Sequence, residues 1–143
     1  MKTLKSIILG LVTVLTVGAA SAKSTNPANE RTSINYAVSA YVNAATHGQI
    51  GALNDVVDNN FKFSMLRGKS MVSYNKAQLL ESFSATENVE QDCKTSVSIN
   101  ENNADMTVVK VSMQYKAFTR VNYVTLANTS EGWKITNIYS VFK

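Results

Sequence analysis

Seven side chains have the types and spacing to form a small-molecule site: Tyr41, Tyr115, Arg120, Tyr123, Trp133, Asn137 and Tyr139. Tyrosine and tryptophan rings make flat apolar walls with one polar tip, which suits a small apolar or aromatic ligand. Arg120, between Thr119 and Val121 on a strand, can grip a carboxylate or phosphate through two parallel N–H bonds. Tyr41 with Asn137 or Tyr123 would make an oxyanion-stabilising pair for an enolisable substrate. The plainer role for the same rings is core, because a small domain needs most of its aromatics there. The plainer role for Arg120 is a solvated face or a dimer contact.

The groups that would turn such a pocket into an enzyme are missing from the pattern. Acid–base catalysis needs a titratable side chain in a partly dry cavity with partners to tune it. His47 is the single histidine and falls at a helix end. Cys93 is the single cysteine, so a catalytic thiol has no nearby imidazole and no internal disulfide can form. Asp92 and Asp105 fall near strand ends. Asp55 and Asp58 fall on the polar face of a short helix, so all four are expected in water. No metal-ligand spacing and no glycine-rich phosphate loop occurs, so neither a metal nor a cofactor is expected.

The chain opens on a targeting pattern. Lys2 and Lys5 make a basic start, Ile7 to Val17 an apolar run, and Ala20-Ser21-Ala22 a small-residue cleavage site. The apolar run is too short for a comfortable membrane span. Residues 1–22 are therefore expected to be a signal peptide, and 23–143 a single exported domain, periplasmic or secreted and free of the membrane after cleavage. Cleavage after Ala22 leaves 121 of the 143 residues, enough for one core. Loss of Lys2 and Lys5 leaves 12 basic residues against 10 acidic ones, scattered along the chain. That balance argues against a nucleic-acid partner.

The elements that must position the candidate residues follow from periodicity. Ile34, Val38, Tyr41 and Ala45 recur at helical spacing, so one helix is expected from Pro27 to about Thr46, stopped by Gly48. Ile50, Leu53, Val56 and Val57 mark a second, shorter helix, broken by Asp58-Asn59-Asn60. Phe61, Phe63 and Met65 alternate as a short strand, and Met71-Val72 is a return. Ser73 or Asn75 caps a third helix over 76–83. The period then changes to two, giving strands over 90–99, 104–115, 118–127 and 133–142. On the last, Trp133, Ile135, Asn137, Tyr139 and Val141 share one face and Lys134, Thr136, Ile138, Ser140 and Phe142 the other. Tyr115, Tyr123, Trp133, Asn137 and Tyr139 are expected to point inward, with Tyr41 facing them. Helices followed by a strand meander make an α+β plan, with the sheet curled around the first helix.

These segments carry a resemblance. A first helix with an aromatic partway along, a glycine after a polar residue, and a short Leu/Val helix form one half. Tyr123-Val124-Thr125-Leu126, a turn, Glu131-Gly132-Trp133-Lys134-Ile135 and Asn137 form the other. Over Glu30 to Lys143 the chain resembles the NTF2-like superfamily. Within it, the chain looks most like small exported bacterial proteins described as putative lumazine-binding or SnoaL-like. The resemblance implies a cone of three N-terminal helices packed into a strongly curved antiparallel sheet. It implies no single chemistry, because that fold hosts isomerases, cyclases and plain binders. The isomerase branch would want an acid on the strand after helix two, where this chain has Phe61-Lys62-Phe63-Ser64-Met65. The cyclase branch also leans on pocket acids or histidines. The expectation is thus an exported small-molecule-binding or interaction protein without a catalytic constellation, a homodimer through its sheet face. The competing expectation is a lyase or isomerase working by Tyr and Asn hydrogen bonds.

Overall fold

The first helix is two helices because Ser33 satisfies both of their loose ends. In the computed structural model, which describes residues 27–143, α1 spans Pro27–Arg31 and α2 spans Ile34–His47. Ser33 Oγ accepts from Tyr36 N at 3.1 Å and donates to Glu30 O at 2.7 Å, capping α2 and closing α1. The expected signal peptide at 1–22 lies outside the described residues. Gly48 ends α2 at φ +65°, and a Cβ there would stand 2.5 Å from Asn88 N and Thr86 O. Only glycine lets the 86–89 turn pack so closely.

The second helix is shorter than its apolar stripe suggests. α3 is one turn, Leu53–Val56, and the chain goes straight into β1, Val57–Arg67. Asp58-Asn59-Asn60 lies just past the end of the helix and inside β1, where the register between β1 and β6 slips. β2, Ser70–Asn75, returns beside β1. α4, Lys76–Ser84, begins on a reciprocal cap in which Asn75 Oδ1 accepts from Gln78 N and Gln78 Oε1 accepts from Asn75 N, both at 3.0 Å. The meander follows as β3 (Lys94–Asn102), β4 (Met106–Gln114), β5 (Thr119–Thr129) and β6 (Gly132–Phe142).

The six strands form one sheet in the order β2-β1-β6-β5-β4-β3. The α+β class and curved sheet agree with expectation, with two corrections. Four helices are present among the described residues rather than three. The sheet is mixed, because β1 runs parallel to β6 while every other neighbour pair is antiparallel.

The core lies between α2 and the inner face of the sheet. Ala37, Tyr41 and Ala44 pack among Val109, Val111, Val124, Leu126, Ile135 and Ile138, all buried. Each buried valine, leucine or isoleucine among them contributes about 1.5–3 kcal/mol. One irregularity decides what points inward from β6. Thr125 pairs with Asn137 but Leu126 pairs with Ile135, so Thr136 is an extra, bulged residue. The bulge reverses the alternation. Trp133 and Ile135 face the helices at one end, and Ile138, Ser140 and Phe142 face them at the other. Asn137, Tyr139 and Val141 face outward, so the expected uniform face from Trp133 to Val141 does not exist.

Candidate functional site

A cavity of about 320 Å³ opens between the inner face of the sheet and α4. Strand alternation supplies one wall. Phe63 and Met65 point inward from β1, and Tyr74 on β2 stands directly across from Phe63, with ring centroids 5.7 Å apart. Helical spacing supplies the opposite wall, because Leu79, Ser82 and Phe83 lie on one face of α4. Ala45, Thr86 and Gln91 complete that side. Tyr115, on the turn between β4 and β5, and Phe142, at the end of β6, close the mouth. Phe118 joins these two, stacked on Tyr115 at 4.7 Å and 6.0 Å from Phe142.

Arg120 is the single charged group in this lining. It sits inward on β5, opposite Phe142. Its Nε donates to Ser140 Oγ at 3.0 Å, which orients the guanidinium. The rings of Phe63 and Phe142 lie 5.9 and 5.7 Å from its Cζ, close enough for cation–π attraction. Two residues further along the same face, Asn122 is wholly buried and donates through Nδ2 to the Tyr41 hydroxyl at 2.5 Å. Tyr41 also meets Phe83 edge-on at 6.3 Å, so it lies just behind the cavity wall.

Two phenols near Arg120 resist ionisation. Burial raises Tyr41 above its ordinary value; the charge of Arg120 and the bond from Asn122 oppose the rise without cancelling it. Burial likewise raises Tyr115, helped by Cys93, again with Arg120 opposing. Both are therefore neutral hydrogen-bonding groups at physiological pH. Cys93 is a half-buried free thiol just before β3, with Sγ 3.8 Å from Thr95 Oγ1. His47 stands apart on the surface, its Nδ1 3.3 Å from Glu90. Among the described residues, no cluster of His, Cys, Asp and Glu is placed to hold a metal ion. No described helix is long and apolar enough to cross a membrane.

The sequence profile described as Putative lumazine-binding matches residues 29–140. The chain belongs to the Putative lumazine-binding family. Solved structures place that family member in the NTF2-like fold. One is an NTF-2 like protein of unknown function from Silicibacter pomeroyi DSS-3, with TM-score 0.65 and 13% identity, covering 83% of this chain and 100% of that one. Another is an NTF2-like protein of unknown function from Shewanella baltica OS155, with TM-score 0.67 and 9% identity, covering 83% and 98%. A third is a ketosteroid isomerase-like protein from Erwinia carotovora atroseptica SCRI1043, with TM-score 0.57 and 18% identity, covering 79% and 95%. At these identities the likeness is one of fold. The chain matches no curated protein.

In this member of the Putative lumazine-binding family, the seven candidate residues divide into groups. Tyr115 and Arg120 line the cavity, and Tyr41 backs it. Trp133 lies at the far end of the core, where its backbone N–H donates to Thr32 O at 2.9 Å. Tyr123, Asn137 and Tyr139 do not point inward. Tyr123 pairs with Tyr139 and Asn137 with Thr125 on the outer face, so neither Asn137 nor Tyr123 meets Tyr41. The partner of Tyr41 is Asn122, a residue the sequence reading passed over. Its signal was there: Asn122 shares alternation with Val124 and Leu126, a polar group on an otherwise apolar face. Phe63, Tyr74, Phe83 and Phe142 were also missed as lining. Their apolar patterns were visible, but nothing local brings β1, β2, α4 and β6 to one place.

Proposed function

We propose that this chain is an exported protein that holds a small molecule in the cone cavity without transforming it. One observation carries the reading. The cavity is walled by five aromatic rings, and no carboxylate or imidazole stands among its lining residues. Proton-transfer chemistry needs such a group within hydrogen-bond reach of the substrate. A volume of about 320 Å³ falls in the range of ligand pockets. The family's description, Putative lumazine-binding, also supports a small ligand. The proposal includes pairing of two copies through the outer sheet face, where Tyr123 and Tyr139 form a half-buried cross-strand pair.

The competing reading is a lyase or isomerase acting by hydrogen bonds alone. It draws on Tyr115, whose neutral phenol could donate to an oxyanion, and on the ketosteroid isomerase-like neighbour. Native mass spectrometry of the protein taken from its own exported fraction separates the two. The binding reading expects a small molecule retained and recovered unchanged after prolonged incubation. Recovery of a rearranged product would favour the enzyme.

A further inference from the structure

Resting on the cavity as a binding site, we infer that its ligand is a planar carboxylate, with the carboxylate seated on Arg120 and the ring against the aromatic wall. The ion pairs among the described residues join His47 to Glu90 and Lys134 to Glu131, so no carboxylate of the described protein answers Arg120. Its one hydrogen bond, from Nε to Ser140 Oγ, uses one edge of the guanidinium. The end-on fork of four Nη protons has no hydrogen-bond partner among the described residues. The rings of Phe63 and Phe142 flank the group, 5.9 and 5.7 Å from its Cζ. A free guanidinium fork is met best by an anion that comes edge-on, and a carboxylate fits it with two parallel bonds.

The protein does not supply that anion from within. Tyr41 and Tyr115 feel the charge of Arg120, but burial raises both phenols above their ordinary value, so neither is an anion at neutral pH. The lining holds no second cation, so the cavity matches one negative charge better than the two of a phosphate monoester. Its volume, near the lower end for ligand pockets, suits one or two fused rings. Aromatic side chains on both walls favour a flat body over a branched one.

Calorimetric titration with 2-naphthoate, 2-naphthamide and 2-naphthyl phosphate tests this. The first two share a shape and differ in charge. The full mature protein should bind the naphthoate about ten- to a hundredfold more tightly than the amide, the span expected for charge-assisted hydrogen bonds. Arg120→Gln should erase that difference, and Arg120→Lys should keep part of it through charge without the fork. Equal affinity of acid and amide for the unmutated protein would overturn the anion inference and leave the cavity reading standing. Tighter binding of the phosphate would overturn the assignment to a carboxylate. If none of the three binds, both the inference and the cavity reading fail. The acid–amide comparison uses unmutated protein, so it holds whether or not the Arg120 variants fold.

Discussion

Asn122 on β5 and Tyr41 on α2, 81 residues apart, meet at 2.5 Å in the middle of an apolar core. The pair ties the first long helix to the centre of the sheet, one step behind the cavity wall. It is also the least satisfied part of the core, because Asn122 Oδ1 is buried with no hydrogen-bond partner. Tyr41→Phe would leave the whole Asn122 amide unpaired. Loss of about 1–3 kcal/mol is expected, the cost of a buried polar group without its partner. Adding Asn122→Leu should recover much of it, since two apolar groups need no partner. Urea unfolding of the two single variants and the double variant gives the coupling. Strict additivity would show that the bond contributes nothing specific.

The same tyrosine sets an alkaline limit. Burial holds Tyr41 above its ordinary 10.0, although Arg120 and Asn122 pull it back in part. The unfolded chain therefore loses the phenolic proton first, and above that value the native state holds more protons. Stability from this group is complete below about pH 10 and drains as pH rises through the folded value. Unfolding free energies measured between about pH 8 and pH 11 should fall for the unmutated protein and fall less steeply for Tyr41→Phe. Equal slopes would place the alkaline sensitivity elsewhere, with Tyr115 the next group to examine.

Four features show how much of this was legible from the sequence. The alternation of Trp133 to Phe142 announced a strand, and that strand is central in the sheet. The bulge at Thr136 was invisible, because it arises from pairing with β5 and not from any local pattern. One extra residue sent Asn137 and Tyr139, two of the seven expected pocket residues, to the outer face. Asn122 was legible and overlooked, as a polar residue in phase with Val124 and Leu126. The parallel contact between β1 and β6 was out of reach, since strand order is set by long-range packing that periodicity does not encode. The cavity depends on that contact, which brings Phe63 beside Arg120 and Phe142.

Gly132 offers a test of how the hairpin is fastened to the helices. It sits at φ +96°, and a Cβ there would lie 2.5 Å from Thr32 Cβ and 2.9 Å from Thr32 Cα. Trp133 N donates to Thr32 O at 2.9 Å, so this contact locks the start of β6 onto the break between α1 and α2. Gly132→Ala faces both a disfavoured backbone and a clash, and should cost at least about 1–3 kcal/mol. Thr32→Gly in the same chain removes the Cβ clash but not the backbone term, so it should restore only part. Thermal melts of both variants decide the matter; an unchanged melt for Gly132→Ala would mean that the hairpin end can shift freely.

Asn137 and Phe83 provide opposite controls for the cavity. Asn137 lies outward beside Thr125, whereas Phe83 lines the cavity from α4 and supports Tyr41 edge-on. Asn137→Ala should leave 2-naphthoate affinity within about twofold, because no contact with the ligand is removed. Phe83→Leu keeps the position apolar while removing the ring, and should weaken binding about three- to tenfold through lost aromatic stacking. The reverse order of effects in the same titration would move the site to the outer face.

The outer face carries the last prediction. Tyr123 and Tyr139 stand across from one another there, half-buried although no described helix covers them. If two copies meet on this face, the two rings from each copy lie in the interface, where tyrosine contributes large area at small entropic cost. Tyr139→Glu would then press two carboxylates together in a drying interface, a strongly unfavourable arrangement. Sedimentation velocity at micromolar concentration should show a dimer for the unmutated protein and a monomer for Tyr139→Glu. The variant should still bind 2-naphthoate, because Tyr139 points away from the cavity. A monomeric unmutated protein would remove the proposed pairing altogether. A dimer untouched by Tyr139→Glu would place the contact on another surface.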